Sequence, residues 1–244
     1  MNVKNKEKHA ILIGAGENSG KMAETIKDNL LKDSYVIALD GGLAFCAEYG
    51  IQPDLIVGDF DSLPDRITKE IIDSLPDMPI EIAVQEKKEE LLLTKYPREI
   101  IYRLPCEKDD TDTLAAIKMA VDKGYTRFTI YGGLGGRLSH TMANIQSLLY
   151  LKEQGLYGEL AGDGSRIFLV KDESVTLPLQ EQGYISVFSF LEKAEGVTLK
   201  NLKYEIENVE LTNSFPIGVS NEFVGKPAEI SVRKGILLVI VEDM

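Results

Sequence analysis

Three shortages narrow the reading of this 244-residue chain before any motif is considered. Cysteine is nearly absent: Cys46 and Cys106 stand far apart with no CxxC or Cys/His spacing around them, which excludes a disulfide framework and a zinc site. Both thiols are expected to be buried and inert. Basic residues are outnumbered, 27 against 39 acidic, for a formal net charge of -12. A general polyanion binder needs clustered Lys and Arg to neutralise phosphates, so no nucleic-acid partner is expected. The richest basic stretches, "KNKEK" at the start and "EKKEE" at 86–90, have acids mixed in and read as solvated surface. Long apolar runs are missing too. No stretch approaches the roughly 18 apolar residues of a membrane span, and the N-terminus lacks a signal-peptide h-region. A cytoplasmic protein with no membrane partner is expected.

What is present falls into two grammars. From residue 9 to about 154, short apolar runs alternate with amphipathic segments: "HAILIGAG" and "SGKMAETIKDNLLK", "SYVIALDGG" and "LAFCAEYG", "DLIVGDFDS" and "DRITKEIIDSL". The alternation resumes with "EIIYRLP", "TDTLAAIKMAVDKG", "RFTIYGG" and "RLSHTMANIQSLLYLKEQG". Such repetition predicts a mostly parallel sheet covered by helices, with ligands at the carboxyl ends of the strands. After Gly155 the pattern changes to β-rich runs parted by turn residues, from "SRIFLV" and "ESVTLPL" through "YISVFSF" and "GVTLKNLKYEI" to "AEISVRKG" and "ILLVIVED". That half is expected to be a small antiparallel sandwich or barrel. The predicted domains are 1–155 and 156–244, with the boundary near 155–165 in the Gly-rich "GLYGELAGDG"; the stretch "PDMPIEIAVQEKKEELLLTKYPRE" reads as an extra helix and loop on one edge.

Acids and glycines gather at the predicted strand ends. The third apolar run ends in Gly58, Asp59 and Asp61, two carboxylates that need a metal ion, a basic side chain or a shared proton beside them. "ALDGG" adds Asp40, Gly41 and Gly42, although an Asp-Gly-Gly turn alone is explained by helix capping. "EKDDTD" supplies Asp109, Asp110, Thr111 and Asp112 at a helix start, more acids than the positive helix end requires. If these face one rim, the cluster is rich in carboxylates and poor in imidazoles, which suits magnesium and a polyphosphate.

Two glycine-rich loops differ in information. "GAGENSGK" matches neither a P-loop, since Ala15 and Met22 stand at required positions, nor a dinucleotide fingerprint, since Ser19 replaces the last Gly. A plain strand-end turn and a phosphate contact explain it equally well. "YGGLGGR" puts four glycines in five residues before Arg137, a loop through which backbone and a planar guanidinium approach an anion. Along the following helix Arg137, His140 and Asn144 share one face, and Leu138, Met142, Ile145 and Leu149 form the adjoining apolar face. His140 fits a structural role as well as a catalytic one. Ser220 and Asn221 read, in isolation, as polar turn residues between strands.

Taken in order, "DGG" at 40–42, "PDLIVGDFDS" at 53–62, "KDDTD" at 108–112, "GGLGGR" at 132–137 and "SNEF" at 220–223 resemble the thiamine pyrophosphokinase family across nearly the whole chain. The resemblance implies transfer of a pyrophosphoryl group from ATP to the hydroxyl of thiamine, giving thiamine diphosphate and AMP with Mg2+. It implies a Rossmann-like nucleotide-binding domain followed by a β-sandwich that binds thiamine, in a homodimer with its sites at the subunit interface. Carried over by motif, Asp59, Asp61 and Asp112 are metal ligands and, with Asp40, catalytic. Gly41, Gly42, Ser62, Asp109, Thr111, Gly133, Gly135, Gly136, Arg137, His140 and Asn144 are expected at the nucleotide, and Ser220 and Asn221 at thiamine. One departure stands out: Ser139 occupies a position where the family usually carries Asp, so a carboxylate is lost unless Asp110 or Asp163 covers for it. Two other readings remain open: a Mg2+-dependent phosphotransferase or phosphoesterase with another substrate, and a nucleotide- or thiamine-binding regulator without turnover.

Overall fold

The computed structural model describes residues 7–16, 19–31, 33–59, 96–105 and 109–243. It separates into two compact units, Met1–Asn144 and Ile145–Met244. The predicted helix "DRITKEIIDSL", most of the 76–99 stretch, Asp61, Ser62 and Cys106 lie outside the described residues.

In the first unit the apolar runs become β1 (His9–Ile13), β2 (Tyr35–Leu39), β3 (Leu55–Gly58), β4 (Ile101–Arg103) and β5 (Arg127–Tyr131). All pair in parallel, in the order β5-β1-β2-β3-β4. Parallel strands covered on both faces need continuous apolar sequence. Ala10 to Ile13 and Val36 to Leu39 are accordingly buried without interruption. Between strands run α1 (Gly20–Asn29), α2 (Gly42–Tyr49) and α3 (Asp112–Asp122), while α4 (Leu138–Glu153) follows β5. Ser19 caps α1 by accepting from the Met22 N–H at 3.2 Å, and Thr111 caps α3 by accepting from Leu114 at the same distance. α2 starts with Gly41 at the cap position and no side-chain cap, and ends at Gly50 in the left-handed conformation. It packs on β1 and β2, and α3 on β1, β2 and β3.

The second unit is β-rich. β6 (Tyr157–Gly162), β7 (Ser165–Lys171), β14 (Ile236–Glu242), β9 (Tyr184–Ser189) and the short β12 (Asn221–Glu222) form consecutive antiparallel neighbours. A four-stranded sheet follows the order β11 (Ile206–Thr212), β10 (Lys193–Lys200), β13 (Lys226–Ser231), β8 (Ser174–Gln180). Phe168, Val187 and Val239 from the first set and Val197, Leu211 and Ile230 from the second belong to one hydrophobic cluster.

Three expectations need correction. "GLYGELAGDG", in which the domain boundary was expected, contains β6, hairpinned to β7. Its Gly158 is a packing residue: a Cβ there would lie 2.5 Å from the Leu151 Cδ1. "GVTLKNLKYEI" is two strands rather than one, broken at Asn201, whose φ of 59° takes the chain out of the extended region. The apolar face expected on α4 is not covered over its first turns, where Leu138 is 82% and Met142 53% exposed.

Candidate active site

At the carboxyl ends of β1, β2, β3 and β5 the first unit opens into a cavity of about 670 Å³. One wall is acidic. β2 delivers Asp40, buried and at a φ of 38° that few non-glycine residues adopt, and β3 delivers the half-buried Asp59. The start of α3 adds Thr111, Asp112 and Thr113. Three separate elements thus bring three carboxylates to one cavity, while Asp61, the other acid of the third strand end, lies outside the described residues.

The acidic wall depends on a missing side chain. Gly58, just before Asp59, faces Asp40 so closely that a Cβ on it would lie 3.0 Å from the Asp40 Cβ and 3.1 Å from its Cα. The Asp40 N–H donates to the Val57 carbonyl at 2.8 Å, and that bond holds the two strand ends at this separation. The glycine of "IVGD" is therefore a condition for seating Asp40 beside β3.

Another part of the lining is made of glycines and a cation. Gly132, Gly133, Gly135 and Gly136 lead into Arg137 and then into Ser139, His140, Ala143 and Asn144 of α4, all lining the cavity. Gly135 and Gly136 adopt φ of 77° and 62°, a path that a side chain would strain. The loop is held from two sides. Asn144 is buried and donates through Nδ2 to the Gly133 carbonyl at 2.9 Å. The β1 loop is stitched to it by the Gly14 N–H to the Tyr131 carbonyl and the Gly16 N–H to the Gly132 carbonyl, both 2.8 Å. At Gly16 a Cβ would stand 2.4 Å from the carbonyl oxygens of both Gly132 and Leu134. "GAG" is thus a close backbone-to-backbone contact at the cavity floor, and Gly14, Ala15 and Gly16 line it as well.

Not every expected residue faces this cavity. Gly41 and Gly42 do not line it; a Cβ on Gly42 would lie 2.0 Å from the Ile13 carbonyl oxygen, so this glycine seats α2 against β1. Asp109 is exposed and outside the lining, and Asp110 is bound through both oxygens to Lys118 at 2.7 and 2.8 Å. Ser220 and Asn221 belong to the second unit. There the Asn221 amide accepts from the Tyr204 N–H at 2.9 Å and donates to the Tyr204 carbonyl at 2.7 Å, while the Ser220 N–H donates to Ser186 Oγ. Thr113 and Ala143 join the lining without a signal that sequence reading had used.

Among the described residues no group of three or more His, Cys, Asp or Glu side chains is arranged to hold a metal ion. Asp61, the third carboxylate expected there, is outside them. The donors that do share the cavity, Asp59 and Asp112 with Asp40 near, are hard oxygens, with His140 the only imidazole in the lining. Among the described residues, that chemistry fits Mg2+ better than a soft metal.

Residues 26–157 match the family described as "Thiamin pyrophosphokinase, catalytic domain", and residues 172–237 match "Thiamin pyrophosphokinase, vitamin B1 binding domain". The chain belongs to the thiamin pyrophosphokinase family. A relative named thiamine pyrophosphokinase from Bacillus subtilis is 27% identical over 205 residues, covering 84% of this chain and 85% of that one. Two solved structures share the fold. The thiamine pyrophosphokinase of Bacillus subtilis superposes with a TM-score of 0.77 at 23% identity, over 97% of this chain and 100% of that chain. That of Geobacillus thermodenitrificans gives 0.76 at 23% identity, over 97% and 98%. Apart from Gly14, Ala15 and Gly16, the residues that line the cavity lie within the part matched as catalytic.

Proposed function

We propose that this thiamine diphosphokinase takes its pyrophosphoryl group from ATP, uses Mg2+ and releases AMP. The observation that carries the reading is the division of one cavity into an acidic wall, Asp40, Asp59 and Asp112, and a glycine-rich wall ending in Arg137. Phosphoryl-type transfer asks a protein mainly to position an in-line attack and to neutralise charge. The thiamine hydroxyl oxygen bonds to the β-phosphorus of ATP as the bond from that phosphorus to the α,β-bridging oxygen breaks, and AMP leaves. Asp40 or Asp61 accepts the hydroxyl proton. The backbone of Gly133, Gly135 and Gly136 and the guanidinium of Arg137 hold phosphate oxygens, with Asn144 fixing the loop that presents them. Asp59, Asp61 and Asp112 would hold Mg2+, which when bound neutralises the triphosphate and its leaving group. The acidic wall also suits the positive thiazolium ring of thiamine.

In fold terms the proposal is a Rossmann-like nucleotide domain over 1–155 and a thiamine-binding β-sandwich over 156–244. Five parallel strands support the first part, and the single hydrophobic cluster shared by two sheets supports the second. Ser220 and Asn221 are read as the thiamine side, inside the part matched as vitamin B1 binding. The exposed Leu138 and Met142, on the helix that carries His140 and follows Arg137, support a homodimer whose sites form between subunits. Cytoplasmic placement agrees with the lack, among the described residues, of any helix long and apolar enough to cross a membrane.

One incubation tests the reading: pure protein with ATP, Mg2+ and thiamine, followed by phosphorus NMR. Thiamine diphosphate with stoichiometric AMP is expected. ADP or free phosphate instead would indicate a different Mg2+-dependent phosphotransferase or phosphoesterase, and saturable binding without product a regulator.

A further inference from the structure

We infer that Lys118 and Asp110 are a positioning pair that aims the start of α3 at the cavity. Lys118 lies on the second turn of α3, and its side chain runs back toward the helix start, the direction in which helical Cα–Cβ bonds tilt. There it grips both oxygens of Asp110, two residues ahead of Asp112. An ammonium drawn toward the positive end of a helix is electrostatically misplaced unless a carboxylate holds it.

The pair's side chains are 41% and 33% exposed, so its contribution to overall stability is small. Its consequence is geometric. Three acids crowd the segment 109–112, yet only Asp112 lines the cavity, while Asp110 is turned to Lys118. Fixing Asp110 on one side and capping with Thr111 on the other leaves the chain one path into Asp112. The same grip keeps Asp110 out of the acidic wall, where a further carboxylate would compete with Asp59 and Asp112 for a cation. Asp110 therefore does not stand in for the carboxylate that Ser139 lacks.

The role in turnover rests on the proposed pyrophosphoryl transfer; the role in ordering the loop does not. The test uses Lys118→Met, Asp110→Asn and the double variant in the full chain. In nucleotide-free and metal-free protein, amide exchange at 111–114 is expected to quicken by about threefold to tenfold in each variant. Melting temperatures are expected to stay within about 2 °C of the parent. In the assay with ATP and thiamine, kcat is expected to fall about tenfold and the Mg2+ concentration for half-maximal rate to rise. The double variant should be no worse than the worse single one, because both remove the same contact. A parent protein that forms no thiamine diphosphate overturns the proposed reaction and leaves the exchange measurement to judge the pair. Unchanged exchange and unchanged kcat in an active parent background overturn the pair.

Discussion

Gly58 and Asp40 approach so closely that one methyl group on the glycine would come within 3.0 Å of the Asp40 Cβ. Gly58→Ala is therefore expected to push Asp40 off its position at the end of β2. The cost of the overpacking is about 1–3 kcal/mol in stability. A larger effect is expected on kcat, about a hundredfold, because a displacement of this kind moves a group proposed to act at the reacting atoms. Chemical denaturation and steady-state rates measure the two separately, and a variant with full activity would remove Asp40 from the reaction.

Asp59→Asn and Asp112→Asn are expected to lower kcat at saturating Mg2+ by at least about a hundredfold, since each removes a carboxylate proposed to hold the ion that offsets phosphate charge. Steady-state rates measured against Mg2+ concentration check this, and full activity in either variant would remove that residue from the metal site.

Asn144→Ala breaks the bond from Nδ2 to the Gly133 carbonyl at a buried position. The expected loss is about 1–3 kcal/mol of stability. The KM for ATP should rise severalfold with little change in the KM for thiamine, because the loop it fixes is the one proposed to hold the nucleotide. Equal effects on both substrates would show that the loop serves no particular one.

Cys46 is buried in α2, and burial pushes its thiol up from 9.0 to about 12. It should resist iodoacetamide in the native protein at pH 8 and react once the chain is unfolded in urea. The sign of the pH effect follows from the raised value. Between pH 9 and 12 the unfolded chain loses this proton while the folded one keeps it, so stability from this group falls as pH rises through that window. Mass spectrometry of the labelled Cys46 peptide reads the first effect, and denaturation at pH 8 and 10 reads the second.

Much of the architecture was legible because strand-helix alternation is a local signal. Ile11 and Ile37 sit in uninterrupted apolar runs, and both are fully buried in parallel strands. The acidic wall was legible for the same reason, as each acid directly follows an apolar run or opens a helix. What escaped depends on distant partners. Gly158 looks like a domain-boundary residue until Leu151 is seen against it. Gly42 looks like part of a binding loop until the Ile13 carbonyl is found where its side chain would be. Lys118 is an ordinary helix lysine in the sequence, and only the return of its side chain to Asp110 gives it a role. The uncovered Leu138 and Met142 have the spacing of a core stripe, and spacing does not say what, if anything, covers it.

The stitching of Gly14 and Gly16 to Tyr131 and Gly132 has a consequence for how such a chain can diverge. Two loops that begin more than a hundred residues apart share a seam with no room for a single added carbon at Gly16. Neither can be lengthened, or given a side chain at the seam, without a matching change in the other. Mechanically they form one piece, and a chain that remodels this end of the cavity would have to alter both together.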